Sequence, residues 1–69
     1  MPDAVRILLA ATDDAALARA VAYVGGTERA IRALFDEAYR LQVHSGTVEE
    51  ILALVDLSDR VDGLARRGR

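Results

Sequence analysis

Residues 4–11 read AVRILLAA, and the conformation of this segment decides the fold of the chain. Large aliphatic side chains stand at positions 5, 7 and 9, which is the two-residue period of a half-buried strand. A short apolar run of this length is equally compatible with a buried helix, because periodicity alone does not separate the two. A strand and a helix therefore both stay open for residues 4–11.

The residues that follow predict a first helix over about 13–24. Thr12, Asp13 and Asp14 stand where short polar side chains accept the free backbone N–H groups of a helix start and acidic ones favour its positive dipole end. The pair Gly25-Gly26 ends the helix. A narrow apolar stripe runs along it at spacings of four and three, formed by Leu17, Val21 and Val24.

A second helix is predicted over about 28–43, and it is the best-defined core element of the sequence. Thr27 stands where its hydroxyl can cap the start of this helix. The apolar face repeats at helical spacings and consists of Ile31, Leu34, Phe35, Ala38 and Leu41.

A third helix begins at a capping box. The segment 44–46, HSG, breaks the preceding helix, and a histidine ahead of a glycine is typical of a helix end. In the segment 47–50, TVEE, Thr47 takes the cap position and Glu50 reaches back from the third helical position. Apolar residues continue the helix to about 56 and then become sparser toward an arginine-rich end, which we expect to be loosely ordered.

The size of the chain limits how stable it can be alone. Its 69 residues allow one small domain, and a domain of this size buries only about 60% of the surface that its unfolded chain exposes. The sequence has no cysteine and one histidine, so neither disulfides nor a structural zinc site adds stability. Oligomerisation or docking on a partner is the remaining source of additional stability.

No set of residues in the sequence forms a recognisable catalytic or cofactor site. Gly25-Gly26-Thr27 precedes a helix start, but no lysine of a nucleotide-binding loop follows it. We interpret it as an interhelical turn or as a contact to one DNA phosphate. His44 beside Ser45 lacks the orienting group and the pocket of a nucleophilic site. The sequence therefore predicts a protein that is not an enzyme, uses no cofactor and acts by binding a partner.

Charge and hydropathy narrow the classes of partner. The formal net charge is −2, but the segment 60–69 carries four arginines against one acid, so the basic charge is local. This distribution argues against general coating of a polyanion. No apolar run approaches the roughly 18 to 20 residues of a membrane span, and the N-terminus lacks the features of a secretory leader. A cytoplasmic location without membrane contact is expected.

Three segments carry a resemblance to a known family. Residues 12–26, TDDAALARAVAYVGG, give a helix that begins at paired aspartates and is closed by glycine. Residues 27–41, TERAIRALFDEAYRL, give a second helix, and residues 51–69, ILALVDLSDRVDGLARRGR, give an apolar and then basic ending. This order resembles VapB-type antitoxins of the ribbon-helix-helix class over nearly the whole chain.

The resemblance implies a mainly α fold in which short N-terminal strands from two chains pair as a ribbon across a homodimer. Residues 1–46 would form the ribbon-helix-helix domain for dimerisation and DNA binding, and residues 47–69 a C-terminal helix with a toxin-binding tail. An intertwined dimer would pool two small cores. The alternative is an all-α module of three or four helices, with residues 4–11 helical.

The resemblance also implies a function, that of an antitoxin in a type II toxin–antitoxin system. It would neutralise a PIN-domain ribonuclease toxin and repress transcription from its own promoter DNA. The residues facing DNA would be Arg6, Leu8, Ala10, Thr12 and Thr27, although leucine and alanine offer base edges only apolar contact. The residues binding the toxin would be Leu52, Val55, Leu57, Val61, Leu64, Arg66 and Arg67, with the arginines pairing the carboxylates of the toxin's metal site. The alternative is an all-helical protein–protein interaction module, subunit or adaptor that does not bind DNA.

Overall fold

Four helices follow one another along the chain: α1 (Asp3–Leu9), α2 (Asp14–Tyr23), α3 (Thr27–Val43) and α4 (Val48–Arg67). The structure is a computed structural model and describes residues 2–68. Met1 and Arg69, the outer ends of the predicted segments 1–46 and 47–69, lie outside the described residues.

Residues 4–11 are not a strand, so the predicted ribbon-helix-helix fold is wrong. Val5 and Leu8 are both fully buried, and their spacing of three is that of one face of a helix. Nothing in residues 2–68 is a strand, so the structure has no ribbon for pairing two chains or entering a DNA groove. The all-α alternative is the correct fold, with four helices.

Local hydrogen bonds set the ends of α2. The side chain of Asp13 accepts a hydrogen bond from the backbone N–H of Ala16 at 2.8 Å, which confirms the predicted helix start. Gly25 and Gly26 both have φ near +112°, a conformation that favours glycine, and they end the helix as predicted. Gly26 occupies the cap position of α3, so Thr27 is the first helical residue and its predicted capping role is wrong.

A tight turn joins α3 to α4. A Cβ on Gly46 would lie 2.6 Å from the Cβ of Leu41, so only glycine fits at this close approach. The predicted capping box is present, since Thr47 accepts from the N–H of Glu50 at 3.1 Å and Glu50 accepts from the N–H of Thr47 at 3.0 Å. From there α4 runs without a break to Arg67, so the arginine-rich segment expected to be loosely ordered is helical as far as that residue.

The helices form two layers around one core. In the first layer α3 and α4 pack side by side as a hairpin, and in the second α1 packs on α3 while α2 packs on α4. Large buried residues come from all four helices: Val5, Leu8, Leu17, Leu34, Leu54, Leu57 and Val61. Two short helices therefore cover one side of the hairpin, and its other side faces solvent.

Phe35 is not a core residue, although the sequence analysis placed it on the core face of α3. Leu34 is fully buried, whereas 50% of Phe35 is exposed. Adjacent positions on a helix point about 100° apart, so Leu34 points toward α1 and α2 and Phe35 points away from them.

None of the four helices within residues 2–68 is long and apolar enough to span a membrane.

Candidate protein-interaction surface

The uncovered side of the α3–α4 hairpin carries a continuous apolar surface. Its members on α3 are four residues apart, and those on α4 follow spacings of three and four, so each set lies on one side of its helix. We call this surface the apolar face, and it consists of Phe35, Tyr39, Val48, Ile51, Leu52 and Val55.

A groove runs between the two helices on this face. Phe35 and Tyr39 form one wall, and Ile51 and Val55 form the other. Ile51 and Val55 are half-buried, whereas Leu52 and Val48 on the outer part of α4 are exposed. The groove is therefore an open channel between apolar walls and has no enclosed cavity for a small molecule.

The exposed apolar area on the face is large for a chain of this size. Phe35 is 50% exposed and Tyr39 is 70% exposed. Taking roughly 200 Å² for a whole aromatic side chain, these two residues leave roughly 240 Å² in contact with water. Leu52 and Val48 bring the apolar face into the range of about 300–600 Å² typical of the largest patch on a soluble monomer, and such patches are often functional.

Charged side chains border the apolar face, and most of them are acidic. Asp36 lies beside the groove next to Phe35, and Asp56 and Asp59 lie one turn beyond Leu52 and Val55 on α4. Glu49 lies one turn before Leu52. On α3, Arg32 precedes Asp36 by one turn, and the neighbouring Glu28 and Arg29 together add no formal net charge. We call these the rim residues: Arg32, Asp36, Glu49, Asp56 and Asp59.

The rim charges are not neutralised within the part of the chain that the structure describes. The ion pairs found among residues 2–68 join other groups and include none of the five rim residues. Four acids against one arginine leave a formal excess of three negative charges around the apolar face. These carboxylates can therefore pair with basic groups of a partner.

Comparisons with protein-family models, curated proteins and solved structures found no match to this chain.

Within residues 2–68, no three His, Cys, Asp or Glu side chains are grouped so that they could hold a metal ion.

The residues predicted to face DNA lie apart in the four-helix fold. Leu8 is fully buried in the core and cannot contact a nucleic acid. Arg6 pairs with Asp3 on the surface of α1, and Ala10 and Thr12 lie in the connection to α2. Thr27 lies beyond the other end of α2, whose 10 residues span about 15 Å. No ribbon aligns these five residues, and DNA binding by the exposed ones among them stays a prediction.

The residues predicted to bind a toxin divide into three groups. Leu57 and Val61 are buried in the core, so a partner could contact them only after α4 leaves the bundle, whereas Leu64 is half-buried against the core. Arg66 pairs with Asp62 at 2.9 Å and Arg67 with Asp14 at 3.2 Å. The remaining two, Leu52 and Val55, lie on the apolar face. Toxin binding by these residues stays a prediction.

The sequence analysis missed the exposure of the two aromatic residues on α3. Phe35 was placed in the core, and Tyr39 was not assigned to a face. The signal was present in the sequence, because adjacent Leu34-Phe35 and Ala38-Tyr39 give α3 two neighbouring apolar stripes, whereas a helix with one buried side needs a single stripe.

Proposed function

We propose that this chain is an all-helical protein–protein interaction module that binds a polypeptide partner over its apolar face. The observation that carries the proposal is the exposure of Phe35, Tyr39 and Leu52 around a groove on the one side of the hairpin that α1 and α2 leave uncovered. Aromatic residues clustered at the centre of a patch are the groups that contribute most to protein–protein affinity. A cytoplasmic site of action belongs to the same proposal.

The physical argument for a polypeptide partner is the shape and chemistry of the face. An open groove with apolar walls and a charged border matches the pattern of an interface with an apolar centre and a polar rim. Small-molecule sites are instead concave and bury most of their ligand. Covering the face would also add the apolar burial that a chain of this size lacks.

The antitoxin hypothesis is not needed for this proposal and remains a prediction. The ribbon that this hypothesis assigns to DNA binding is not formed, because residues Asp3–Leu9 are helical. The part that depends on the C-terminal residues would require a partner to compete with the core for Leu57 and Val61. The apolar face requires no such rearrangement, so it is the surface we assign to partner binding.

The proposal is tested by comparing three versions of the full chain as bait in lysate from the source cells. The face variant combines Phe35→Ser with Leu52→Ser, and the control is Tyr23→Ser, which removes an exposed aromatic side chain from α2. A captured protein is then purified, and its affinity for each version is measured by calorimetry. Helix content by circular dichroism confirms that each variant folds.

We expect the face variant to bind this partner at least about tenfold more weakly than the wild type, because it removes central apolar contacts. The Tyr23→Ser control should bind like the wild type. Equal binding by all three versions would contradict the proposal, since the partner would then use another surface.

A further inference from the structure

We infer that the occupant of the apolar face is an amphipathic helix with basic residues along the flank of its apolar strip that faces α4. The inference rests on the proposed function and names the chemistry of the partner. Three observations carry it: the length of the apolar face, the sign of the rim charges and the concentration of the acidic ones on α4.

The groove has the dimensions of a helix-binding site. A helix that lies in a groove inserts apolar side chains at positions i, i+3 or i+4, and i+7. The α4 wall of the groove, from Ile51 to Val55, rises about 6 Å, and Val48 extends the apolar face along α4 to about 10 Å, or about two turns of a bound helix. Phe35 and Tyr39, one turn apart on α3, line the opposite side over part of this length. Two turns of apolar side chains on the partner would fill it.

The rim determines which charges the partner must carry. Asp36 lies on the α3 side of the groove, and Glu49, Asp56 and Asp59 lie along the α4 side. On α3 Arg32 compensates Asp36, so a helix lying in the groove would face an excess of carboxylates only on its α4 flank. Lysine or arginine on that flank gives complementary potentials, whereas glutamate or aspartate there brings like charges together.

The same charges disfavour a second copy of the chain as the occupant. A two-fold interface uses the same surface of both subunits, so it would bring two rims together, each with an excess of three negative charges. Arg32 is the one rim base that could compensate them. Like-charge contact of this kind costs affinity, and a basic partner avoids it.

Two synthetic peptides test the inference against the purified full chain. Each has leucine at positions 1, 4, 5 and 8 of a helix of about 14 residues, in the pattern of groove-binding helices. One carries lysine at the flanking positions, and the other carries glutamate there. Affinity is measured by fluorescence anisotropy at low and at high salt, and the bound surface is mapped by backbone amide chemical shifts.

Two charge variants separate the effect of the rim charges on binding from the effect of the net charge of the chain. The rim variant combines Asp56→Asn with Asp59→Asn. The control combines Asp3→Asn with Asp13→Asn, which changes the net charge by the same amount away from the face, and asparagine at position 13 still caps α2. The Phe35→Ser, Leu52→Ser variant tests the apolar contacts.

We expect the lysine peptide to bind at least about tenfold more tightly than the glutamate peptide at low salt, with a smaller difference at high salt. Chemical shifts should change at the apolar face. The rim variant should weaken lysine-peptide binding by about fivefold or more, the matched control should leave it unchanged, and the apolar variant should abolish it.

The inference is overturned if the two peptides bind equally, if neither binds, or if the control variant weakens binding as much as the rim variant. Sedimentation that shows a dimer of the free chain, lost on Phe35→Ser, would make a second copy the occupant and overturn it as well. In each of these cases the proposed function still stands if the lysate partner depends on the apolar face. It fails separately if that partner binds the face variant normally.

Discussion

The guanidinium Nη2 of Arg67 donates a hydrogen bond to Oδ2 of Asp14 at 3.2 Å, between residues 53 positions apart in the sequence. Arg60 donates to the other carboxylate oxygen, Oδ1, at 3.4 Å. One carboxylate in the first turn of α2 therefore holds two arginines in the C-terminal half of α4. This contact, together with burial of Leu57 and Val61, accounts for the helical conformation of a segment that its composition alone predicts to be loosely ordered.

Replacing Asp14 with asparagine should loosen the last turns of α4. The pair is exposed, so the loss in global stability should stay below about 1 kcal/mol. The local effect should be clearer, with faster hydrogen exchange of the backbone amides of residues 62–67, because helix ends open more easily than the core. Asp62→Asn, which removes a pair within α4, is the matched control. Unchanged exchange in the Asp14 variant would show that burial alone orders this segment.

The sequence predicted those features that depend on neighbours in the chain. The caps at Asp13 and Thr47 and the turn at Gly25-Gly26 were found because each is formed by residues within a few positions of one another. The conformation of residues 4–11 could not be decided from neighbouring residues alone. A strand would bury every second residue, whereas α1 buries Val5 and Leu8, which are three positions apart. The sequence AVRILLAA is compatible with both spacings. Packing against α3 selects the helix.

The candidate surface was predictable only in part, because it too depends on packing between helices that are distant in the sequence. Leu52 and Val55 were singled out as partner-binding residues from an apolar strip in α4, and they do lie on the apolar face. Leu57 and Val61 belong to the same strip in sequence, but α2 packs over α4 and the core buries them. Which residues of a strip remain exposed depends on where the other helices pack, and sequence spacing does not contain that information.

The two sides of the hairpin should respond differently to the same substitution. Leu34→Ala removes a fully buried side chain and should lower the free energy of unfolding by about 2–5 kcal/mol. Leu52→Ala removes a side chain that is 53% exposed, and its cost should stay below about 1 kcal/mol. Urea denaturation followed by circular dichroism measures both. Similar losses for the two variants would mean that the apolar face is covered in solution.

The capping box at the start of α4 should make a measurable contribution to stability. Thr47→Ala removes the acceptor for the N–H of Glu50 and should lower the free energy of unfolding by about 1 kcal/mol. Thr47→Ser keeps a hydroxyl at the same position and should retain most of this stability. Thermal denaturation of the three proteins gives the comparison. If alanine and serine had the same effect, the cap would contribute little.

Glu37 should make the stability of the chain depend on pH. Its side chain is almost fully buried, and Arg40 donates from Nε to Oε1 at 2.8 Å and from Nη2 to Oε2. The hydrogen bonds from Arg40 hold the pKa of Glu37 below its ordinary value. Because the folded-state pKa is the lower one, this pair stabilises the fold at neutral pH, and the stabilisation is lost as the pH falls below about 4.5.

Glu37→Gln, which cannot ionise, tests this dependence. Between pH 7 and pH 3 the free energy of unfolding of the wild type should fall more steeply than that of the variant, because the wild type loses the contribution of the Glu37 carboxylate on protonation. Urea denaturation at four or more pH values gives both curves. Arg40→Gln removes the charged donor and should raise the pKa of Glu37 toward its ordinary value, so the loss of stability on acidification should be smaller in that variant than in the wild type. Parallel curves for the wild type and Glu37→Gln would show that the pair contributes nothing to the acid response.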